Sequence, residues 1–451
     1  MNVLFFALVA VAFLGTAARE LGVSSSVAGG GAPMQALTTA MVESANGAVT
    51  LAIGLVGVMA FFLGLMKVAE KGGLLVILAR LIRPLMVRLF PDVPAEHPAM
   101  GAMVFNLAAN LLGLGNAATP FGIRAMQELD RLNPHKGTAT NAMVLFLAIN
   151  TSSITLLPTT VIALRASAGS QDPAAILPTS LFASLFATLV AVGVAKYLQR
   201  HWPLPVVGGE GAVAGDAVTA EVAGPETTVE ALSPGAGVGE ETEFAGASAA
   251  GGYSPWVGVV TLVAFVGLVP LTIFYGKSFS SWVIPGLAVG LLGFGLLRGV
   301  RVYEAFVEGA RDGFEVAVRI IPYLVAILVA VGMFRASGAM EVLVATLGPS
   351  TAVVGLPGEV LPLAVMRSLS GSGSYGLLAA LLGNPATGPD TYAGLLASTI
   401  QCSSETTFYV LAVYFGAVQI RRMRHALVAG LIADLAGLVG SVVVCSWLVT
   451  P

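Results

Sequence analysis

Leu147-Ala-Ile-Asn150-Thr-Ser-Ser153 lies inside one apolar run, and Ser398-Thr-Ile-Gln401-Cys-Ser-Ser404 lies inside another, 251 residues further on. Each places an amide and two serines where a membrane helix would bury hydrocarbon. Two further pairs keep the same order. Val42-Glu43-Ser44-Ala45 recurs as Val307-Glu308-Gly309-Ala310 after 265 residues, and Gly64-Leu-Met-Lys67 recurs as Gly332-Met-Phe-Arg335 after 268. Three polar-anchored matches in one order mark an internal repeat.

The surroundings of these strings set the class. Of 451 residues, 56% are hydrophobic and 10% charged, with a mean hydropathy of +0.87. Soluble domains carry roughly a quarter charged residues, so a soluble globular enzyme is excluded. The apolar runs approach 20 residues without period-two alternation, which selects helices over an outer-membrane barrel. The expectation is an all-α polytopic membrane protein. The net charge of -3 is misleading, since 8 of the 25 acidic residues lie between Glu210 and Glu243. No basic patch points to nucleic acid. Cys402 and Cys445 sit apart in apolar runs, which argues against a disulfide framework or structural zinc. No nucleophile elbow, zinc-protease motif or P-loop occurs, so there is no case for an enzyme or a cofactor.

Nine full spans are expected at about 3–18, 48–66, 139–164, 177–196, 255–276, 280–297, 313–333, 392–417 and 426–449. The first reads as a retained helix rather than a cleaved signal, because no Lys or Arg precedes it and Arg19 follows. Ala99–Phe121 and Leu361–Leu382 are apolar but interrupted by Gly, Asn or Ser, which suits re-entrant, broken segments enclosed by protein. Residues 203–252 lack apolar bulk and helical period, and read as a disordered acidic linker. The units are thus 1–200, the linker 201–254, and 255–451.

Basic residues mark the cytoplasmic side of short loops. In the first half Lys67, Lys71, Arg80, Arg83, Arg88, Arg124, Arg131 and Lys136 fill 67–98 and 122–138, whereas 334–360 and 381–391 hold only Arg335. The bias then reverses, with Arg165 alone in 165–176 against Arg421, Arg422 and Arg424. The halves are therefore expected to be oppositely oriented, with the N-terminus inside and the C-terminus outside a cytoplasmic (inner) membrane. Inverted repeats with broken helices near the midplane are a transporter architecture.

An ionisable group within a span is a site hypothesis by default. Arg367 stands in Met366-Arg-Ser-Leu-Ser-Gly-Ser-Gly-Ser374, where free backbone N–H groups, Ser370, Ser372 and a guanidinium make an anion-friendly nook. The same Arg367 could instead lock the segment by donating to carbonyls. Glu405, in Gln401-Cys-Ser-Ser-Glu-Thr-Thr407, can pair with Arg367, bind a cation or take a proton. Its counterpart in the first half is Ile154. Asn150, Ser152 and Ser153, followed by Pro158, would unwind their helix and either satisfy freed backbone groups or bind solute. Gln401, Ser403 and Ser404 answer them. Asn106, Asn110, Asn116 and Thr119 offer neutral hydrogen bonds to a solute or bridges between helices. Asp434 is a second proton-relay candidate beside Glu405, and Glu315 with Arg319 reads as an intrahelical ion pair. The four histidines show no metal-ligand spacing.

Longer strings carry a resemblance. Asn110-Leu-Leu-Gly-Leu-Gly-Asn-Ala-Ala-Thr-Pro120 and Ala148-Ile-Asn-Thr-Ser-Ser-Ile-Thr-Leu-Leu-Pro158 resemble the spore maturation protein A family. Phe306-Val-Glu-Gly-Ala-Arg-Asp-Gly-Phe314, Ile320-Ile-Pro-Tyr-Leu-Val325, Met366-Arg-Ser-Leu-Ser-Gly-Ser-Gly373 and Glu405-Thr-Thr-Phe-Tyr-Val-Leu-Ala-Val-Tyr-Phe415 resemble spore maturation protein B. The chain resembles a fusion of the two. The resemblance implies the nucleoside recognition, or Gate, domain, similar to the membrane part of ferrous-iron permeases, and with it transmembrane solute movement. The expected function is a secondary transporter or permease for a small polar organic solute, nucleoside-like or zwitterionic, with proton coupling as an option. The alternatives are a scaffold that binds a cytoplasmic protein through 203–252 and a metal-ion permease. Small-residue helix faces permit a homo-oligomer.

Overall fold

A computed structural model describes residues 2–21, 33–203 and 284–449, with positions 256, 260, 267 and 282 besides. The acidic linker, with its expected partner binding, and the 255–276 span lie outside the described residues apart from single positions. Among the described residues the chain is helical, and the one β-bridge joins Thr138 to Arg422.

After α1 (Asn2–Glu20), the first half runs α2 (Pro33–Lys71), α3 (Leu74–Leu89), α4 (Pro98–Leu112), α5 (Gly115–Arg131), α6 (Asn141–Thr151), α7 (Thr159–Ser167) and α8 (Ile176–Leu198). After α9 (Ile284–Leu297), the second half runs α10 (Val302–Ala336), α11 (Ala339–Ala352), α12 (Leu361–Leu369), α13 (Gly371–Leu382), α14 (Tyr392–Ser403), α15 (Thr407–Gly416) and α16 (Ala426–Val449). From α2 to α8 and from α10 to α16 the order is the same: a long helix, a short one, two broken pairs and a closing long helix.

The two long helices, 39 and 35 residues, pack along each other through small side chains. A Cβ on Gly309 would meet Leu63 and Lys67, one on Gly313 would meet Ala60, and one on Gly332 would meet Ser44. Contacts that descend α2 while ascending α10 make the pair antiparallel. Small residues allow that close backbone approach, which supplies the van der Waals contact that apolar surface alone cannot in lipid. The closing helices α8 and α16 also run antiparallel, with Gly440 against Ala183 and Phe186 and His425 hydrogen-bonded to the Ala195 backbone.

The broken segment α4/α5 folds back on itself. Asn106 Nδ2 donates to Ala118 O at 2.8 Å and Phe105 stacks on Phe121 at 5.5 Å. A straight helix would hold residues 12 apart about 18 Å from each other. The turn is Gly113, at φ +77°. The α12/α13 segment breaks at Ser370, which has extended dihedrals (φ −156°, ψ 116°) and caps α13 by accepting from Gly373 N at 3.0 Å.

Three readings of the sequence need correction. The expected full spans 139–164 and 392–417 are each interrupted, at 152–158 and 404–406. Among the described residues three helices are long and apolar enough to cross a membrane alone, and a fourth if the bent Val302–Ala336 helix is one span. The stretches 67–98 and 334–360 are not plain loops but hold α3 and α11. α3 (LLVILARLIRPLMVRL) is amphipathic, with Arg80, Arg83 and Arg88 set among apolar residues, the pattern of a helix lying in the interface. Glu315 and Arg319 stand exposed and form no ion pair with each other or with another described residue.

Candidate functional site

The second pair of broken helices begins alike in both halves. Thr140 caps α6 by accepting from Met143 N at 3.2 Å, and Thr391 caps α14 by accepting from Gly394 N at 3.1 Å. These threonines are again 251 residues apart. Eleven and twelve residues later both helices stop, for different reasons. In α6, Pro158 cannot donate and disfavours helical dihedrals at Leu157, so 152–158 stays open. Ser152 Oγ turns back to donate to Ala148 O at 3.0 Å. The backbone groups that this frees are taken up elsewhere: Leu156 N donates to Leu111 O at 2.9 Å, and Ser152 O accepts from Thr188 Oγ1 at 3.0 Å.

No proline lies near Ser404 on its C-terminal side, the next being Pro451. There the break is held by Arg367, which arrives from the last turn of α12. Its NH2 donates to Ser404 O and its NH1 to Thr406 Oγ1 at 3.3 Å. Arg367 is 6% exposed, and its Nε has no partner. Glu405 lies 3.6 Å from the guanidinium with its side chain 52% exposed, so the pair is loose and the carboxylate faces open space.

The two breaks touch. Glu405 N donates to Thr151 O at 2.6 Å, which joins the C-terminal end of α6 to the extended stretch before α15. Partial negative charge from helix C-termini and partial positive charge from the N-terminus of α15 therefore meet at one place. Asp434, on α16, accepts from Thr407 Oγ1 at 2.7 Å and sits at that positive end.

Beside this meeting point runs an amide network. Asn110 Nδ2 donates to Asn150 Oδ1 at 3.0 Å, Asn150 Nδ2 to Phe146 O at 3.0 Å, and Asn106 Nδ2 to Tyr414 OH at 3.2 Å. Tyr414 OH in turn reaches Asn150 Oδ1 at 3.4 Å. Reading the sequence alone passed over Tyr414. Its signal was its register on α15, two turns beyond Thr407, within a run read as uniformly apolar.

Among the described residues eight buried side-chain polar atoms lack a partner, and five belong here: Asn106 Oδ1, Thr151 Oγ1, Arg367 Nε, Gln401 Oε1 and Asp434 Oδ1. Buried polar atoms are normally satisfied, so this concentration is what a polar guest would answer. Other expected residues are engaged within their own helices. Ser403 Oγ donates to Ile400 O at 2.9 Å, and Ser370 caps α13. Ser153 and Ser404 are buried at the two breaks, and Ser372 is exposed beside the second. Asn116 falls in the first turn of α5, and Thr119 is hydrogen-bonded to Tyr409. Among the described residues no three His, Cys, Asp or Glu side chains group as metal ligands would.

The nucleoside recognition (Gate) family model matches residues 52–168 and 317–421. Spore maturation protein A of Bacillus subtilis (strain 168) is 47% identical over 164 residues, 36% of this chain and 84% of that protein. Spore maturation protein B of the same organism is 46% identical over 166 residues, 37% of this chain and 92% of that protein. The chain belongs to the Gate family. No solved structure matches it. Each Gate range holds one broken segment and one interrupted helix, so Asn106, Asn150, Arg367 and Glu405 fall within them, whereas Asp434 lies outside. The chain is a transporter-like, multi-pass membrane protein.

Proposed function

We propose that the chain is a secondary transporter or permease, not an enzyme, and that it moves a small polar organic solute through the place where the two helix breaks meet. One observation carries this reading. Two interrupted helices from opposite halves touch through Glu405 N and Thr151 O, and five unpartnered polar atoms belong to Thr151 itself and to Asn106, Arg367, Gln401 and Asp434 on the helices that form or pack on the breaks. Unwound backbone at membrane depth is tolerated only inside protein or along a watery cavity, and transporters place substrate and coupling ions there.

The antiparallel packing of α2 on α10 and of α8 on α16, with the reversal of basic residues between halves, supports two repeats of inverted topology. On the charge rule the N-terminus is then cytoplasmic and the C-terminus external. The roles divide by geometry. Arg367 first fastens the 404–406 stretch and keeps Nε for an anionic group. Glu405, half-exposed, takes a cationic group or the coupling proton. The Asn106–Tyr414–Asn150–Asn110 network supplies neutral hydrogen bonds. Charges of both signs side by side favour a zwitterion, and neutral amides suit a nucleoside equally.

The test begins with a thermal-shift screen of amino acids and nucleosides on purified protein, since a ligand of the folded state raises its stability. Uptake of the stabilising solute into proteoliposomes is then compared with that by Arg367→Ala and Glu405→Gln. Both variants should lose uptake. Unchanged uptake in both removes the site from the mechanism.

A further inference from the structure

A second polar hollow lies away from the helix breaks. α10, α11, α12 and α13 enclose a cavity of about 250 Å³ whose rim carries Arg335, Glu341 and Glu359, with Asn384 deeper. None of these three charged side chains is in an ion pair with a described residue. Asn384 Oδ1 accepts from Ala386 N at 3.1 Å, which leaves its amide N–H groups for the cavity. Outside the lining, Arg19 from α1 donates to Ser337 O at 3.1 Å and stands near Gly338, as does the Glu341 carboxylate. One guanidinium and two carboxylates thus face one opening with no ion pair between them. The walls are apolar, formed by Val331, Met340, Val344 and Leu377.

We propose that this cavity is a binding vestibule for a small zwitterion with an apolar side chain, separate from the helix breaks. The carboxylate of the guest sits on Arg335 and the Asn384 amide, its ammonium lies between Glu341 and Glu359, and its side chain fills the apolar wall. A lone anion would meet two carboxylates, and a lone cation would leave the Arg335 guanidinium and the Asn384 amide without a partner. The volume is below the usual range for drug-sized ligands, which starts near 300 Å³, and so suits an amino acid. Position gives the site its use. Leu363 lines the cavity and precedes Arg367 by one turn of α12, about 6 Å along the axis. A solute held here is one helical turn from the residue whose side chain holds the second break. That transport role rests on the reading above, whereas binding itself does not.

Equilibrium dialysis with radiolabelled L-leucine on the purified full chain tests it. Each charge-assisted hydrogen bond contributes about 1.5–3 kcal/mol, so Arg335→Ala and Glu359→Gln should each weaken leucine binding about tenfold or more. Both side chains are exposed, and the folded chain should tolerate their loss. In a Glu405→Gln chain, whose central site is disabled, one leucine should still bind. The carboxylate-only analogue 4-methylpentanoate and the amine-only analogue 3-methylbutylamine should each bind about tenfold more weakly than leucine. Leucine binding that survives Arg335→Ala and Glu359→Gln but is lost in Glu405→Gln would overturn the vestibule while leaving the central site standing. Absence of leucine binding, or an amine that binds as well as leucine, would overturn it too.

Discussion

Gly113 sits at the tip of the α4/α5 turn with φ +77°, and a Cβ there would come within 3.0 Å of the Leu157 carbonyl oxygen, a separation that real Cβ atoms essentially never show. The tip therefore presses its backbone on the first helix break, where Leu156 N also donates to Leu111 O at 2.9 Å. Gly113→Ala meets two costs. A left-handed backbone costs an L-residue about 1–2 kcal/mol, and forcing a methyl against an immobile carbonyl adds about 1–3 kcal/mol. Gly169 separates the two. Its φ is +79° with nothing within 4 Å of a Cβ, so Gly169→Ala should carry only the first. Denaturant unfolding of both variants in detergent should place Gly113→Ala about 1–3 kcal/mol below Gly169→Ala, with ligand-induced stabilisation reduced only in the former. Equal losses would refute the close approach of tip and break.

Other consequences follow from the same geometry. Tyr414→Phe removes the hydroxyl shared by Asn106 and Asn150 and should cost about 1 kcal/mol of stability in thermal or denaturant unfolding, with weaker solute binding. Arg165 is 1% exposed and bonds Pro389 O at 2.6 Å, Asp172 O at 3.2 Å and Asp390 at 3.2 Å, tying a loop of each half together. Arg165→Ala should destabilise by about 1–3 kcal/mol for each carbonyl left without its donor, and Arg165→Lys should not rescue it, because an ammonium lacks the planar fork. Burial, with the Arg424 guanidinium beside it, pushes His425 down from 6.5 to about 4. The unfolded chain then protonates first as pH falls, so the stability His425 contributes is complete above about 6.5 and lost progressively toward pH 4. His425→Gln should flatten that part of an unfolding-against-pH curve.

Much of the fold was legible because bilayer physics narrows the choices. Scarce charge left only helices, and Gly, Asn and Ser in the middle of Ala99–Phe121 and Leu361–Leu382 marked both broken segments. Pro158 also announced its break. The second interruption was harder, because Ser404 has no proline close after it and the agent is a side chain from another helix, Arg367. That residue stood out by its charge, and sequence offered an anion nook or a lock on its own segment; in the structure it donates instead to Ser404 O of the other break. α3 and α11 were missed because their basic and small residues were read only as loop markers, although 3.6-residue periodicity in LLVILARLIRPLMVRL was there to be read. Tyr414 was invisible for the opposite reason: an aromatic in an apolar run shows its hydroxyl only once its helix neighbours are known.

The central claim is that the meeting of the two breaks is where solute passes. Ser372 is exposed and follows Gly371, where a Cβ would meet Thr406 Oγ1 of the second break; Ser370 Oγ lies 3.5 Å from its hydroxyl, and both native cysteines are buried. The decisive measurement is therefore the rate at which a charged, water-soluble thiol reagent modifies Ser372→Cys in membranes, with and without the solute found by the thermal screen. The account predicts ready modification that the solute slows about tenfold, the occlusion expected when ligand is present at ten times its Kd. A cysteine that reacts only after unfolding, or one whose rate ignores the solute, would contradict it.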